Sequence, residues 1–178
     1  LPATVPYSCD FEAAGVNGWD LLTSVQTNYW MVGNATSSTG SKSMYITDNG
    51  TANNYSGTES YSFAIRTFNL TEVGEYAFSY DWKCYGESSY DFLRVAMVPV
   101  STTLTAGNYC GFNNGEAPSG TLPTGGIPLD GKGRLNLNSN WLTRPGTFTV
   151  TAPGVYNLVF FWRNDGSIYN QPPAAIDN

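Results

Sequence analysis

Apolar and polar residues alternate with a period of two along most of this chain, the pattern of strands that bury one face. The clearest run is Glu75 to Lys83, with Tyr76, Phe78, Tyr80 and Trp82 on one side and Ala77, Ser79 and Asp81 on the other. Phe92 to Val98 sets Leu93, Val95 and Met97 against Phe92, Arg94, Ala96 and Val98. Val155 to Arg163 alternates too, but large apolar groups fall on both sides, which predicts a central strand. Shorter runs predict strands at Tyr7 to Glu12, Tyr29 to Val32, Ser43 to Thr47, Tyr61 to Phe68, Leu135 to Leu137 and Thr147 to Thr151. Turn signals punctuate them at Asp48-Asn49-Gly50, Gly86-Glu87-Ser88, Pro153-Gly154 and Asn164-Asp165-Gly166. Short strands so separated predict an all-β fold, a sandwich or a jelly roll, as a single module over residues 1–178.

Two stretches depart from this rhythm. From Ser101 to about Arg144 the chain is rich in Gly, Asn, Pro and Thr, which reads either as a long crossover between strands or as a functional loop. A short strand within it is expected near Gly133 to Asn138. Ala174-Ala175-Ile176-Asp177-Asn178 reads as the opening of a further strand, so the module is expected to come from a larger multidomain protein.

Composition narrows the function. Twelve Tyr, nine Phe and five Trp accompany a charged fraction of only 12%, so solubility rests on Asn, Ser, Thr and Gly, a mix suited to strands and turns. The net charge is −6 and the eight basic residues are scattered, which makes nucleic acid and anionic membrane surfaces poor partners. The longest apolar run, Val155 to Trp162, is of strand length, so no direct membrane insertion by a helix is expected. There is no histidine, which removes the usual general base, the Ser-His and Cys-His pairs and most zinc sites. Cys9, Cys84 and Cys110 are odd in number, and the role that suits them is that of small buried apolar residues.

Cys9-Asp10-Phe11-Glu12, followed by Gly18-Trp19, resembles the opening of MAM domains and of bacterial cleaved-adhesin modules. Tyr29-Trp30 through Gly40, then Ser43-Met44-Tyr45-Ile46, fits the same pattern. The run from Asp81-Trp82-Lys83-Cys84-Tyr85-Gly86-Glu87 to Val95 is similar to the choice-of-anchor J modules of Bacteroidetes surface proteins. So are Phe161-Trp162-Arg163-Asn164-Asp165 and Gln171 to Asn178. The resemblance implies a jelly roll whose first and last strands are near each other, in an exported protein that is secreted or held at the cell surface. It also implies adhesion or glycan association. MAM domains pair their first cysteine with a nearby one; none follows Cys9 before Cys84, so that disulfide does not carry over.

The same resemblance implies a structural calcium ion between the first and last strands, on a Glu and an Asp that match Glu12 and Asp177. Asp48, just after a predicted strand, is a third candidate ligand, and Asp10 a fourth. Backbone carbonyls and Asn side chains would complete the six to eight oxygens that calcium takes. Ordinary turn carboxylates are the alternative. Aromatics outside the clear strands, namely Tyr55, Tyr85, Tyr90, Tyr109, Trp141 and Tyr169, are candidates for a sugar-binding surface, because a flat apolar face with a polar edge suits a sugar ring. Glu87 and Asp91 are a close carboxylate pair of the kind used in glycoside hydrolysis. A turn Glu and a strand-start Asp, paired with Lys83 or Arg94, explains them without catalysis, and no catalytic residue is assigned. The expectation is a non-catalytic extracellular module, calcium-stabilised, that binds a glycan or a host or surface protein. Its rival is a passive spacer between neighbouring domains, which would bury its aromatics instead of gathering them on one face.

Overall fold

The alternating runs pair as two five-stranded antiparallel sheets. The computed structural model describes residues 1–112 and 121–178. In the first sheet the order is β1 (Asp20–Leu22), β4 (Ser60–Leu70), β9 (Gly154–Asn164), β6 (Phe92–Pro99) and β7 (Ile127–Pro128). In the second it is β2 (Tyr29–Gly33), β3 (Ser43–Thr47), β10 (Ala175–Asp177), β5 (Gly74–Cys84) and β8 (Asn138–Val150). The chain crosses repeatedly between sheets, and no described residue is helical. This is an all-β sandwich, as the periodicity predicts, with the jelly-roll form that the resemblance implies.

The two apolar sides of β9 enter two different layers. Tyr156, Leu158, Phe160 and Trp162 face the inter-sheet core, where Leu93, Val95 and Met97 of β6 meet Tyr80 and Trp82 of β5. Val159 and Phe161 point the opposite way, with Phe63, Ile65, Phe92, Ala96 and Val98. There the crossover after β6 covers them with Leu104, Phe112 and Leu122, and the Phe112 ring stacks on Phe161 at 5.0 Å. The first sheet is thus buried on both faces. Arg94 shares that covered face at 0% side-chain exposure and pairs with Asp130 at 2.6 Å, not with Asp91 as expected.

Three sequence expectations change. The stretch from Ser101 to Arg144 is a crossover that also contains β7 and the start of β8, and the strand predicted at Leu135 to Leu137 is a single bridge from Leu135 to Leu93. Tyr7 to Glu12 is not a strand. Phe11 adopts φ 58 and buries its ring 6.0 Å from that of Trp19, while Asp10 accepts the Glu12 N–H at 3.1 Å. One buried ring and a side-chain-capped turn satisfy the alternation without a ladder. The cysteines are all free thiols; Cys84 is fully buried as a small core residue, whereas Cys9 and Cys110 are half-buried.

Candidate functional site

Because the crossover covers the first sheet, the outer face of the second sheet along β5 and β8 is open to solvent. Alternation on β5 sends Trp82 and Cys84 into the core and Asp81 and Lys83 outward. Tyr85, one residue past the strand, continues the outward series and is 38% exposed. On β8, Thr143 pairs with Asp81, and its hydroxyl donates to Asp81 Oδ1 at 2.5 Å. A register shift between Trp82 and Cys84 brings Trp141 beside Lys83, whose ammonium lies 5.3 Å from the Trp141 ring centre. The Ser38 hydroxyl and the Asn178 amide donate to Asp81 Oδ2 at 2.7 and 3.1 Å. Burial pushes the Lys83 ammonium below the usual lysine value. Burial pushes Asp81 up, but its three donors outweigh this and hold the carboxyl below the ordinary range, so it is ionised at neutral pH. The strip therefore sets the Trp141 ring beside an ammonium and near a fixed, hydrogen-bonded carboxylate, with Tyr85 next in the outward series.

The other predicted aromatics lie elsewhere. Tyr90 and Tyr109 flank Arg163, each ring centre 5.9 Å from the guanidinium carbon, and the Tyr90 carbonyl accepts from Arg163 Nη1. Tyr109 also packs edge-on against Tyr61 at 4.7 Å. Tyr55 is buried and donates its hydroxyl to Asp91 at 2.6 Å. Tyr169 is exposed, its ring 6.3 Å from that of Tyr55. The fold thus gathers Tyr85 and Trp141 onto one strip and leaves Tyr55, Tyr90 and Tyr109 to packing. Asp81, Lys83 and Thr143 were not among the predicted site residues, since outward polar positions on a strand read as an ordinary wet face.

Glu12 and Asp177 grip a single loop between β2 and β3. Glu12 Oε1 accepts the N–H groups of Ser41 and Lys42 at 2.8 and 2.7 Å, and Oε2 accepts the Ser41 hydroxyl at 2.7 Å. Those donors hold the Glu12 carboxyl below the usual range. Gly40 (φ 60) is required here, since a Cβ would stand 2.5 Å from Glu12 Oε1. Asp177 Oδ2 accepts from Ser38 and Thr39 N–H at 2.8 and 3.1 Å, and Oδ1 from Asn178 N–H at 2.9 Å. Lys42 Nζ donates to the Glu12 carbonyl at 2.9 Å. This donor set does not fit the implied calcium ion. N–H and O–H groups already hold the carboxylate oxygens, and an ammonium stands against the nearby carbonyl. Asp10 is used in its own turn, and Asp48 at the end of β3 keeps a buried Oδ1 without a partner. Among the described residues, no three of Glu12, Asp48, Asp177 and Asp10 bring ligand oxygens within 4.8 Å of one another.

A closer carboxylate group is Glu87, Asp91 and Asp165, whose oxygens do lie within 4.8 Å. The turn that builds it needs Gly86 at φ 62, where a Cβ would meet the Asp91 carbonyl at 2.4 Å. Asp91 is fully enclosed, and burial pushes its carboxyl up to about 6 despite hydrogen bonds from Tyr55 and from Asp165 N–H at 2.9 Å. Glycoside hydrolysis needs two carboxyl groups facing each other across an open cleft, roughly 5 to 10 Å apart. Asp91 at 0% exposure reaches no substrate.

No family model matches the chain, and no curated protein does, so the choice-of-anchor J and MAM resemblance rests on the quoted motifs. Solved structures do match. The C-terminal family 22 carbohydrate-binding module of Clostridium thermocellum Xyn10B is 14% identical, with 97% of this chain and 89% of that chain covered and a TM-score of 0.50. The CBM22-1 xylan-binding domain of Paenibacillus barcinonensis Xyn10C is 11% identical over 97% and 89% of the two chains, with a TM-score of 0.51. A domain of the bacteriophage CBA120 tailspike protein 4 is 13% identical over 96% of this chain but 20% of that one, with a TM-score of 0.52. At these identities the likeness is one of fold.

Proposed function

We propose that this chain is a non-catalytic glycan-binding module that works through the open outer face of its second sheet. The observation that carries this reading is the meeting of Trp141 and Lys83 beside the Asp81–Thr143 pair on the solvent-exposed outer face of β5 and β8, where Tyr85 follows next in the outward series. Trp and Tyr rings offer apolar area for the axial hydrogens of a sugar, while Asp81 and Lys83 offer an acceptor and donors for its hydroxyls. Similar solved domains named as xylan-binding and carbohydrate-binding support the reading. Modules of this kind act outside the cell, and we infer an extracellular or cell-surface setting. Among the described residues, no helix is long and apolar enough to cross a membrane.

The test is affinity electrophoresis against soluble xylan, β-glucan and galactan, followed by calorimetry on any glycan that retards the protein. Trp141→Ala should weaken binding by roughly tenfold or more, as expected for losing one stacked ring. Tyr90→Ala should leave it unchanged. If no glycan retards the protein, or if Trp141→Ala binds like the parent, the open face is not a glycan site and the spacer role takes its place.

A further inference from the structure

The outward side chains of β5 are Glu75, Ala77, Ser79, Asp81 and Lys83, and β8 meets their charges unequally. Each carboxylate receives a threonine hydroxyl from across the ladder, Thr147 donating to Glu75 Oε2 at 3.2 Å and Thr143 to Asp81 Oδ1 at 2.5 Å. The Lys83 ammonium meets a ring instead, that of Trp141. On the other flank the residue directly opposite Lys83 is Ala175 of β10, which brings only a methyl group. Asp81, two residues back on the same face, is outside ion-pair distance, since the ion pairs among the described residues are Arg94–Asp130 and Arg163–Glu59.

The other cations of the fold are spent. Lys42, Arg66, Arg94, Arg144 and Arg163 each donate to a protein oxygen. Lys83 donates to none among the described residues, although it is half-buried. Burial alone lowers its proton affinity, with no carboxylate raising it again. An ammonium is a strongly hydrated point charge with three donors. Holding it against a ring and a methyl strips part of its water and returns no acceptor.

We propose that Lys83 receives the carboxylate of a uronate, so that the glycan bound on this face is an acidic one. This rests on the glycan-binding reading of the same strip and names its substrate class. A neutral hydroxyl offers the ammonium a dipole, whereas a carboxylate offers a full charge and a hydrogen bond roughly twice as strong. Lys83 and Asp81 are two residues apart on one strand face, about 7 Å. A uronate carries its carboxylate on the sugar ring itself, about one ring width from its hydroxyls, so one sugar can span the two side chains. A sulfate ester stands off the ring by a further rotatable bond and lacks that fixed spacing. The charge of Asp81 does not defeat the arrangement. Attraction to the ammonium at about 3 Å exceeds repulsion from a carboxylate at about 7 Å roughly twofold.

The experiment is calorimetry with oligosaccharides of polygalacturonate, alginate and glucuronoxylan, each beside its carboxyl-reduced form, so that the backbone stays and the charge goes. Salt is set at about 0.15 M, where the net charge of −6 is screened beyond about 8 Å. At least one acidic form should bind roughly tenfold or more tightly than its reduced form. Lys83→Met, which keeps the stem of the side chain, should bring the two forms within about twofold, and Lys83→Arg should keep the preference. Unchanged thermal unfolding of Lys83→Met shows that its fold is intact. Absence of an acid preference in all three pairs, with neutral glycans still bound through Trp141, overturns the uronate assignment and leaves the glycan-binding reading standing. A preference that survives Lys83→Met overturns it too, as does tighter binding of dextran sulfate than of every uronate. Failure of every glycan to bind, acidic or neutral, ends both readings together.

Discussion

Asp91 lets the fold be tested through pH. Its carboxylate is wholly enclosed, and Tyr55 and the Asp165 amide are its only hydrogen-bond donors among the described residues. Burial is the largest cause of its rise to about 6, and the nearby carboxylates of Asp165 and Glu87 add to it. An unfolded aspartate titrates near 3.9, so between about pH 4 and pH 6 the folded chain holds a proton that the unfolded chain has released. Where the native state binds more protons, stability falls as pH rises. Two pKa units at about 1.4 kcal/mol each make the full effect about 3 kcal/mol, complete above about pH 6 and absent below about pH 4. For a domain of this size that corresponds to about 6 to 12 °C in Tm. Asp177, also raised by burial, acts in the same sense. Glu12 and Asp81, held low by hydrogen bonds, act in the opposite sense, and their stabilisation is lost only as pH falls below the ordinary carboxylate range.

The perturbation that isolates this effect is Asp91→Asn. The amide keeps the shape and still accepts from Asp165 N–H, but its NH2 faces the Tyr55 oxygen, so the buried Tyr55 hydroxyl loses its acceptor and the variant carries a cost that does not change with pH. Urea or thermal unfolding of both proteins at about pH 4.5, 5.5 and 7 should show the parent losing stability toward neutrality and the variant nearly flat. A variant that keeps the parent's slope would show that the titrating group lies elsewhere. A parent without a slope would show that Asp91 ionises in the fold at no cost.

Three further outcomes follow from the packing and the loop clasp. Phe112→Ala removes the ring that covers Phe161 and Phe63, and it should cost about 3 to 5 kcal/mol in chemical denaturation while leaving glycan retention intact. Asp177→Ala leaves three backbone N–H groups without their acceptor and should cost about 2 to 4 kcal/mol. Because those oxygens are held by N–H groups, chelation and then added calcium should leave the parent's Tm within about 2 °C. A large calcium-dependent rise would mean that the loop rearranges to receive the ion.

The long elements were legible because each has a face to bury. Ser43 to Thr47 was predicted residue for residue, and β5, β6 and β9 to within one or two positions. β1 and β7 span three and two residues, too few to carry a period. The first half of β8 was hidden by Pro145 and Gly146, which signal a turn but are tolerated on this strand because it lies at the sheet edge. Tyr85 and Trp141 were legible as aromatics beyond the clear strands. Their meeting was not, because it depends on the register shift opposite Lys83. The resemblance pairs Glu12 with Asp177 as ligands of one ion, but what they share in the structure is a loop of N–H donors, and a loop's hydrogen-bond direction leaves no trace in its residue types.

The placement of the candidate face follows from how the first sheet is covered. A sheet that buries apolar residues on both sides, as β9 and β6 do, has no face to offer, so any broad recognition surface must lie on the second sheet. There β3 and β10 are also closed off, their outward residues Ser43, Thr47 and Asp177 being buried, which leaves β5 and β8. Asp81 joins the candidate face to the clasped loop. One oxygen holds Thr143 of the open strip, and the other holds Ser38 of the loop and Asn178. A sugar hydroxyl that competes for Asp81 would therefore loosen the loop clasp.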